Sequence, residues 1–223
     1  MADIMEAARA VFVEKGYTDA LTADIAERAG VVEGTIYRYF ASKRDLLIKV
    51  IEAWYDQLYK DNERQLDGLR GTRNRLRLLV YRHLTLIHED RAILRLLLNE
   101  LRDAPEYRST SVFKLNRRYT QRVKAVIDEG IKNGEFRDNV PHRIIRDMIF
   151  GGAEHYTFAY LRGEGDFSPA EAADFITDLI CAGLEAKRPQ PPRISDLDDA
   201  VVARFEDAVR RLETLHRNRA ADS

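Results

Sequence analysis

One stretch, residues 30–47 (GVVEGTIYRYFASKRDLL), constrains the fold of this chain more than any other part of its sequence. Gly30 can adopt the left-handed conformation that ends a helix, and Val31 supplies the apolar contact expected directly after such an end. Ile36 and Phe40 are four residues apart, so they can lie on one inward face of a following short helix. The stretch therefore predicts a helix end, a sharp turn and a second short helix.

The segments on either side of this turn predict two further helices. Thr22 is expected to cap the helix over 22–29, and Asp24 lies in its first turn, where the helix dipole favours an anion. Ser42 and Asp45 form an S-x-x-D capping signal ahead of apolar residues, which predicts the start of the next helix. A basic helix start of this kind is suited to binding a phosphate group.

The outward residues of the short helix carry groups that suit a nucleic-acid surface. Gly34 would let the helix backbone approach a DNA strand closely, and tyrosine hydroxyls can donate to phosphate oxygens. Arg38 can contact a phosphate or the edge of a guanine in the major groove. An ordinary three-helix bundle is the alternative, in which Tyr37 and Phe40 are core residues and the cations that follow them are solvated.

In combination, these residues resemble the N-terminal pattern of the tetracycline-repressor (TetR) family of bacterial transcription regulators. The resemblance covers roughly residues 4 to 51. It rests on Ala7, Ala8, Phe12, Gly16, Tyr17, Thr22, Ile25, Ala26, Ala29, Gly30, Val31, Gly34, Thr35, Tyr37, Tyr39, Phe40, Lys43, Leu46 and Leu47.

The resemblance implies a DNA-binding helix-turn-helix in which residues 33–39 are the recognition helix and Tyr39 and Lys43 contact phosphates. Val32 stands where the family usually has a serine, which removes a hydroxyl cap and one DNA contact. Glu33 adds an anion near the expected phosphates, and the chain lacks the basic N-terminal arm of many family members. The predicted DNA-binding residues are Thr22, Glu33, Gly34, Thr35, Tyr37, Arg38, Tyr39 and Lys43.

The charge of the chain is unevenly distributed. Its formal net charge is −1, which is unusual for a DNA-binding protein. Residues 37–50 nevertheless hold four cations against Asp45, so positive charge gathers where the motif predicts DNA. Because so few cations bind DNA weakly, a homodimer that reads two half-sites is expected. No stretch reaches the roughly 18 apolar residues of a membrane span, and the acidic start is unlike a signal peptide, so we expect a cytoplasmic protein with no membrane partner.

The remainder of the chain is predicted to be helical, which makes the fold all-α. Amphipathic patterns predict helices over 3–15, 43–69, 76–87, 91–102, 109–133, 141–161 and 169–187. The predicted organisation is a helix-turn-helix head over 1–48, joined by a long helix to an effector-binding and dimerisation body over 49–188. Residues 189–223 are predicted to be a proline-rich linker and an extra C-terminal helix, which would dock on the body or on a second subunit. The apolar positions of that helix are Leu197, Val201, Phe205, Val209 and Leu212.

Two helices over 141–187 are predicted to form a dimer interface. They carry more apolar surface than one inward stripe needs, and Gly151, Gly152 and Gly183 would allow two helices to approach closely. The resemblance implies a four-helix interface between two subunits, whereas the alternative is that these helices complete the core of a monomer. The predicted interface residues are Ile145, Ile149, Phe175, Ile176, Leu179, Ile180 and Gly183.

A basic middle segment suggests a small-molecule effector. Between Arg70 and Lys124, 14 cations stand against 5 acids, beside many apolar positions. An anionic amphipath would suit such a segment, with its acyl chain buried and its phosphates on arginines, and acyl-coenzyme A is the candidate. Residues 131–155 also resemble the bodies of fatty-acid-metabolism regulators of this family. The predicted pocket residues are Leu84, Ile87, Leu94, Leu98, Phe113, Val123, Met148, Gly152, His155 and Tyr156.

Three alternatives to this effector stay open at the level of sequence. The charged residues can form solvated helix faces, the ligand can be an aromatic drug or another lipophilic molecule, and the protein can lack a ligand altogether. Solvated faces are the usual reason for charge runs on helices.

No pattern of catalytic or metal-binding residues is present in the sequence. His83 and His88 are five residues apart and share a helix face poorly, and Glu154 beside His155 is not the Glu-x-x-His of di-iron bundles. A phosphate loop and a nucleophile elbow are both lacking, and the single Cys181 excludes an intrachain disulfide. We therefore expect no catalysis, no metal and no cofactor.

Together these patterns predict a ligand-responsive DNA-binding regulator, and the family resemblance implies a repressor released from operator DNA by a small molecule. A helical dimeric interaction protein that has lost specific DNA binding is the alternative. It is motivated by Val32, Glu33 and the missing basic arm.

Overall fold

A computed structural model of the protein describes residues 1–66, 69–186, 199, 201–204 and 206–211. Over these residues the fold is all-α, as predicted, and extended backbone pairs in one isolated bridge, between Phe136 and Glu185. The helices in chain order are α1 (Ala2–Asp19), α2 (Thr22–Arg28), α3 (Glu33–Tyr39), α4 (Lys43–Leu66), α5 (Thr72–Glu89), α6 (Arg91–Leu96), α7 (Ser111–Lys132), α8 (His142–Tyr156), α9 (Phe158–Arg162) and α10 (Pro169–Leu184). A π-helical turn (Leu97–Arg102) continues α6, and a 3₁₀ turn (Tyr107–Ser109) precedes α7.

Residues 1–186 form one compact unit, and residues 187–223 form a second. In the second unit, residues 201–204 and 206–211 are helical, and Arg211 pairs with Asp207 at 2.8 Å. The predicted linker over 189–192 lies outside the described residues. The same holds for the predicted apolar positions Leu197, Phe205 and Leu212.

The first three helices pack around one apolar cluster at the N-terminal end of the chain. The buried residues of α1 recur at helical spacing, which gives this helix a single inward face. Ile25 of α2, Ile36 of α3 and Leu47 of α4 are each at most 1% exposed and complete the cluster. The buried residues of α1 are Ile4, Ala7, Ala8, Val11 and Phe12.

The turn between α2 and α3 has the predicted geometry. Gly30 has a φ of 66°, which is the left-handed conformation that ends a helix without steric cost in glycine. The amide of Val31 donates to the carbonyl of Ala26 at 3.0 Å, and the amide of Gly30 donates to Glu27 at 3.1 Å. This pair of bonds is the Schellman motif, which satisfies the last carbonyls of α2.

One predicted helix cap is wrong and the other is confirmed. Thr22 is the first helical residue of α2, and the cap residue is Leu21, whose amide donates to the Asp24 carboxylate at 3.1 Å. The carboxylate therefore does the capping, and the Thr22 hydroxyl is used elsewhere. At the start of α4, Ser42 accepts from the amide of Asp45 at 3.1 Å, as the S-x-x-D pattern predicts.

Two segments that were predicted as single helices are interrupted in the structure. Residues 91–102 divide into α6 and the π-helical turn, where the guanidinium of Arg44 donates to the carbonyl of Glu100 at 3.1 Å. A side chain bonded to a helix carbonyl competes with the regular ladder of the helix. Residues 141–161 divide into α8 and α9 at Thr157, whose amide and hydroxyl both donate to the carbonyl of Ala153. The hydroxyl bond bends the helix there.

The body is built from α5, α7, α8 and α10 around the C-terminal part of α4. Helix α7 packs against α4, α5 and α8, while α10 lies along α5. Arg73 and Arg77 of α5 pair with Asp178 and Asp174 of α10, so two ion pairs bridge these helices. Both pairs are exposed, and their contribution to stability is therefore small.

Candidate DNA-recognition surface and ligand cavity

The outward side of α3 forms the candidate DNA-recognition surface. Ile36 faces the core at 1% exposure, whereas Tyr37 and Tyr39 are 52% and 50% exposed. Gly34 and Arg38 are also exposed, and Thr35 is half-buried. The structure thus places the predicted recognition residues of α3 on an accessible helix that directly follows a sharp turn, which is the layout of a helix that enters a major groove.

Thr22 connects α2 to α3 through its hydroxyl group. This hydroxyl donates to a carboxylate oxygen of Glu33, and its oxygen lies 3.1 Å from the hydroxyl of Tyr37. Because Thr22 has one hydroxyl proton and Glu33 accepts it, Tyr37 is the donor in the second bond. The carboxylate of Glu33 is therefore oriented by protein contacts, and Thr22 acts as a positioning residue in this conformation.

Lys43 is engaged by the protein rather than free for a phosphate. Its ammonium donates to the carbonyls of Tyr17, Thr18 and Ala20 at 2.7, 3.3 and 2.9 Å. The same group lies 4.5 Å from the centre of the Tyr17 ring. Lys43 thus caps the C-terminal end of α1 and holds it against α4. Contact of Lys43 with a DNA phosphate stays a prediction, and in this conformation the ammonium group is bonded to the protein instead.

Arg44 joins the head to the body at the first turn of α4. Its guanidinium donates to the carbonyl of Glu100 at 3.1 Å and pairs with the carboxylate of Glu106 at 2.5 Å. Glu100 belongs to the π-helical turn. A movement of this turn would therefore pull directly on the helix that follows the recognition helix.

Asp90 forms a second connection between head and body. It lies between α5 and α6, where one carboxylate oxygen accepts from the indole of Trp54 at 2.8 Å. The other oxygen pairs with Arg9 of α1 at 3.1 Å. The single carboxylate thus links the first helix of the head to the long helix α4.

A cavity of about 80 Å³ lies in the body, between α4, α5, α6, the π-helical turn, α7, α8 and α9. Leucine and aromatic side chains form most of its wall. Its lining residues are Trp54, Tyr55, His83, Leu86, Ile87, Leu94, Leu97, Leu98, Arg102, Asn116, Tyr119, Thr120, Phe150, Glu154 and Leu161.

Part of the predicted pocket coincides with this cavity. Ile87, Leu94 and Leu98 line it, as expected. Leu84 and Val123 are instead packed in the core at 0% and 1% exposure. Phe113, also away from the cavity, packs edge-on against the ring of Tyr107, with the ring centres 5.5 Å apart.

The four predicted pocket residues on α8 lie outside the cavity, so the predicted pocket is corrected at these positions. The inward residues of this helix are Ile145, Ile149 and Ala153, so the opposite side faces solvent. The prediction placed the wrong side of the helix inward. The exposed residues concerned are Met148, Gly152, His155 and Tyr156.

The sequence did not identify the aromatic and polar part of the cavity wall. Trp54 is an apolar residue of the helix predicted over 43–69, but Tyr55 was not singled out, and the other aromatic and polar lining residues come from other segments of the chain. His83 and Tyr119 are 36 residues apart, and their meeting depends on how α5 packs against α7. The signal that could have identified these lining residues is a polar or aromatic residue on the inward side of an otherwise apolar helix of the body.

Among the residues that the structure describes, Arg102 is the one arginine or lysine that lines the cavity. It pairs with Glu154 at 2.6 Å, which connects the π-helical turn to α8. Other cations of the basic segment are paired on the outside of the body, for example Arg75 with Glu129 and Lys124 with Asp128. The predicted basic pocket therefore reduces to one arginine at the cavity.

Large apolar residues are exposed on α8, α9 and α10, and they are referred to below as the exposed apolar face. Phe175 and Leu179 of α10 are 71% and 64% exposed, and Gly183 is exposed on the same helix. Ile176 is half-buried. The other large apolar residues of this face are Ile144, Met148, Tyr156 and Phe158.

Three of the predicted interface residues do not belong to this face. Ile145, Ile149 and Ile180 are 8%, 0% and 7% exposed because they point into the core of their own chain. The inward stripe of each helix thus accounts for these isoleucines. The outward residues are left as the candidate dimer face.

Among the described residues, no helix is long and apolar enough to cross a membrane. The same residues contain no group of three or more histidine, cysteine, aspartate or glutamate side chains that could hold a metal ion.

Two family patterns match the chain. Residues 4–50 match the bacterial regulatory proteins of the tetR family, and residues 70–184 match the tetracyclin repressor-like C-terminal domain. The first match contains the helix-turn-helix, and the second covers the cavity and the exposed apolar face. Both the head and the body are thus those of one family, which favours DNA binding over the alternative of an interaction protein.

Individual relatives share most of the chain. The fatty acid metabolism regulator protein of Bacillus subtilis is 26% identical over 184 residues, which cover 82% of this chain and 95% of that protein. The HTH-type transcriptional repressor KstR2 of Mycobacterium tuberculosis is 26% identical over 159 residues, or 69% of this chain and 80% of the repressor.

Solved structures of similar proteins have the same fold. The transcriptional regulator FadR of Bacillus subtilis, crystallised in complex with stearoyl-CoA, superposes with a TM-score of 0.72 at 26% identity, over 82% of this chain and 99% of that one. The fatty acid degradation regulator FadR of Bacillus halodurans gives a TM-score of 0.70 at 25% identity, with the same coverage.

Proposed function

Because the chain belongs to the TetR family of bacterial regulatory proteins, and is a ligand-responsive DNA-binding repressor, we propose that a long-chain acyl-coenzyme A binds its cavity and releases it from operator DNA. The protein would act in the cytoplasm, where the DNA is. The proposal assigns the cavity to ligand binding rather than to catalysis.

The observation that carries the proposal is an apolar cavity with one arginine in its wall, in a chain similar to a regulator crystallised with stearoyl-CoA. Leucines 94, 97 and 98 would surround an acyl chain. Arg102 would bind an anionic or carbonyl oxygen of the ligand, since a guanidinium is a strong donor to both. To do so, the ligand would compete with Glu154 for this arginine.

The size of the cavity implies that ligand binding changes the structure. About 80 Å³ is far below the roughly 300–1,000 Å³ typical of pockets for drug-sized ligands. A long acyl chain would therefore have to displace lining side chains. Leu97 and Leu98 belong to the π-helical turn, a type of irregular helix that is frequent at functional sites.

The π-helical turn also provides a route from the cavity to the head. Leu97, Leu98 and Arg102 of this turn line the cavity, while the carbonyl of Glu100 accepts from Arg44 in the first turn of α4. A ligand that expands the cavity would shift this contact. Because the head is attached to the first turn of α4, it would move with this helix, and the population of conformations that fit two half-sites would fall.

The exposed face of α8 and α10 is the proposed dimer interface. Large contiguous apolar patches are rare on the surface of a monomer. Met148, Phe175 and Leu179 would be buried against the same face of a second subunit, which is the isologous arrangement of a two-fold dimer.

Titration of the protein–operator complex tests the proposal. Operator DNA selected from a random library would be labelled, and binding followed by fluorescence anisotropy while stearoyl-CoA is added. We expect release at micromolar stearoyl-CoA, and much weaker effects of stearate or coenzyme A alone because each lacks half of the ligand. Retention of the complex at tens of micromolar stearoyl-CoA would contradict the proposal.

A cavity variant separates a specific effect from a detergent effect of the acyl chain. Leu98→Trp fills the cavity and should weaken release by stearoyl-CoA. Leu69→Trp, at an exposed position outside the cavity, is the matched control and should release operator as the unmodified protein does.

A further inference from the structure

One part of the cavity wall is polar, although the rest is apolar. His83, Asn116, Tyr119 and Thr120 line the cavity together with Arg102 and Glu154, whereas leucines from α5, α6 and the π-helical turn supply apolar lining. A saturated acyl chain offers no hydrogen bond to any of these groups. The composition of the wall therefore needs an explanation beyond the binding of a hydrocarbon.

The central pair of the polar wall is held by one long hydrogen bond. The hydroxyl of Tyr119 lies 3.3 Å from Nδ1 of His83, which is longer than the 2.7–2.8 Å typical of a strong hydroxyl bond. Among the residues that the structure describes, the hydrogen bond found for the His83 ring is the one at Nδ1, and none is found for the second ring nitrogen, Nε2. The pair thus retains hydrogen-bonding capacity that faces the cavity.

Aromatic contacts fix both side chains in place. The ring of His83 packs edge-on against Phe150 with 4.8 Å between the ring centres, and the Tyr119 ring lies 5.8 Å from Phe150. The ring of Tyr55 packs edge-on against Tyr119 with 6.4 Å between the ring centres, and the Tyr55 hydroxyl donates to Asn116 at 3.1 Å. A polar pair held this rigidly is preorganised for a ligand group of fixed position.

Both members of the pair are uncharged at neutral pH. Burial, and to a smaller extent the nearby cation Arg102, lower the pKa of His83 to about 4. Burial also raises the pKa of the Tyr119 hydroxyl far above its ordinary value. A neutral pair of this kind matches a neutral oxygen atom, whereas a carboxylate would prefer a cationic partner.

We propose that the effector is an oxygenated acyl thioester, whose hydrophobic body carries a keto or hydroxyl oxygen that His83 and Tyr119 bind in the cavity. This inference rests on the proposed function, because it assumes that the cavity is the effector site. If the Tyr119 hydroxyl donates to Nδ1, the Nε2–H of His83 is the donor to a keto oxygen, and in the other tautomer the Tyr119 hydroxyl is that donor and Nε2 accepts from a hydroxyl group. Buried polar groups of the protein left unpaired by a saturated chain would disfavour that chain.

The test compares acyl-coenzyme A ligands of one chain length. Stearoyl-CoA would be measured against a series of analogues with one hydroxyl or one keto group at successive positions, by calorimetry and by operator release. We expect at least one positional analogue to bind about tenfold or more tightly than stearoyl-CoA. The gain should appear at one region of the chain, because the pair is fixed in place.

Two variants assign the preference to the polar pair. Tyr119→Phe and His83→Phe should each reduce the preference for the best analogue to threefold or less. Tyr81→Phe, at an exposed position of α5, is the matched control and should keep the full preference. Thermal unfolding reports whether each variant is folded. If one of the two variants does not fold, the other still tests the inference.

The outcomes distinguish this inference from the proposed function. If stearoyl-CoA releases the operator but no oxygenated analogue binds more tightly, the inference is wrong and the proposed function stands. A preference that persists in both variants would also overturn the inference. If stearoyl-CoA and all analogues leave the operator complex intact, both proposals are wrong.

Discussion

Single hydroxyl and ammonium groups of the head are used to hold its helices in position. Thr22 binds Glu33 and Tyr37, and Lys43 caps the carbonyl end of α1. The Thr22 contacts connect α2 to α3, and the Lys43 contacts connect the start of α4 to the end of α1. Preorganisation of this kind lowers the entropic cost of placing a helix in a groove.

Gly34 gives a direct test of the recognition surface. A methyl group at this position would meet no protein atom within 4 Å, so Gly34→Ala should raise the stability of the protein by up to about 1 kcal/mol. The same methyl would lie between α3 and DNA, and we expect operator affinity to fall about tenfold. Chemical denaturation and fluorescence anisotropy measure the two effects. Unchanged operator affinity would show that the backbone of α3 does not approach DNA at this point.

His83 predicts a pH dependence of stability. Its pKa is lowered from 6.5 to about 4 in the folded protein, so the unfolded chain binds a proton first as the pH falls. The stabilisation is complete above pH 6.5 and is lost progressively toward pH 4. Between pH 7 and pH 5 we expect the unmodified protein to lose about 2 kcal/mol more stability than His83→Phe. Denaturant unfolding at each pH checks this, with Tyr81→Phe as control, and equal losses in both proteins would contradict it.

At the scale of helices, the sequence predicts those elements whose boundaries are set by local residues. Gly30 ends α2 and Ser42 starts α4, and both act through atoms within a few residues. The π-helical turn was missed because Arg44, which donates to the carbonyl of Glu100 in this turn, is 56 residues away in the chain. Periodicity also predicted α8 and α10 as helices. It did not settle which side of α8 faces inward, because both sides are apolar.

The glycines of α8 predict how two subunits approach each other. Glycine inside a helix costs up to about 1 kcal/mol relative to alanine. A Cβ at Gly151 or Gly152 would meet no atom of its own chain within 4 Å. These positions are therefore suited to close contact with a second subunit. The double variant Gly151→Ala/Gly152→Ala should be more stable as a chain but dimerise at least tenfold more weakly.

Sedimentation measurements over a range of concentrations test this expectation. Gly34→Ala is the matched control, because it also replaces an exposed helical glycine but lies in the head. Its dimerisation should equal that of the unmodified protein. An unchanged dissociation constant of the double variant would place the dimer contact elsewhere.

At the scale of the whole molecule, the cavity and the head are joined by short chains of contacts that end at α4 and α1. One runs from the π-helical turn through Glu100 to Arg44, and the other runs from Trp54 through Asp90 to Arg9. Both begin at residues next to the cavity or in its wall. This explains how a ligand inside the body would change the position of a head that it does not touch. The contacts could not be read from sequence, because each joins residues far apart in the chain.

The central claim is that binding of the cavity ligand and binding of operator DNA to this protein weaken each other. Thermodynamic linkage then requires that each weakens the binding of the other by the same factor. Calorimetric titration of stearoyl-CoA into the dimer, with and without saturating operator DNA, measures this directly. We predict that operator DNA weakens stearoyl-CoA binding by the factor with which stearoyl-CoA weakens operator binding, typically about 5–150-fold. Equal affinity for stearoyl-CoA in both conditions would contradict the account.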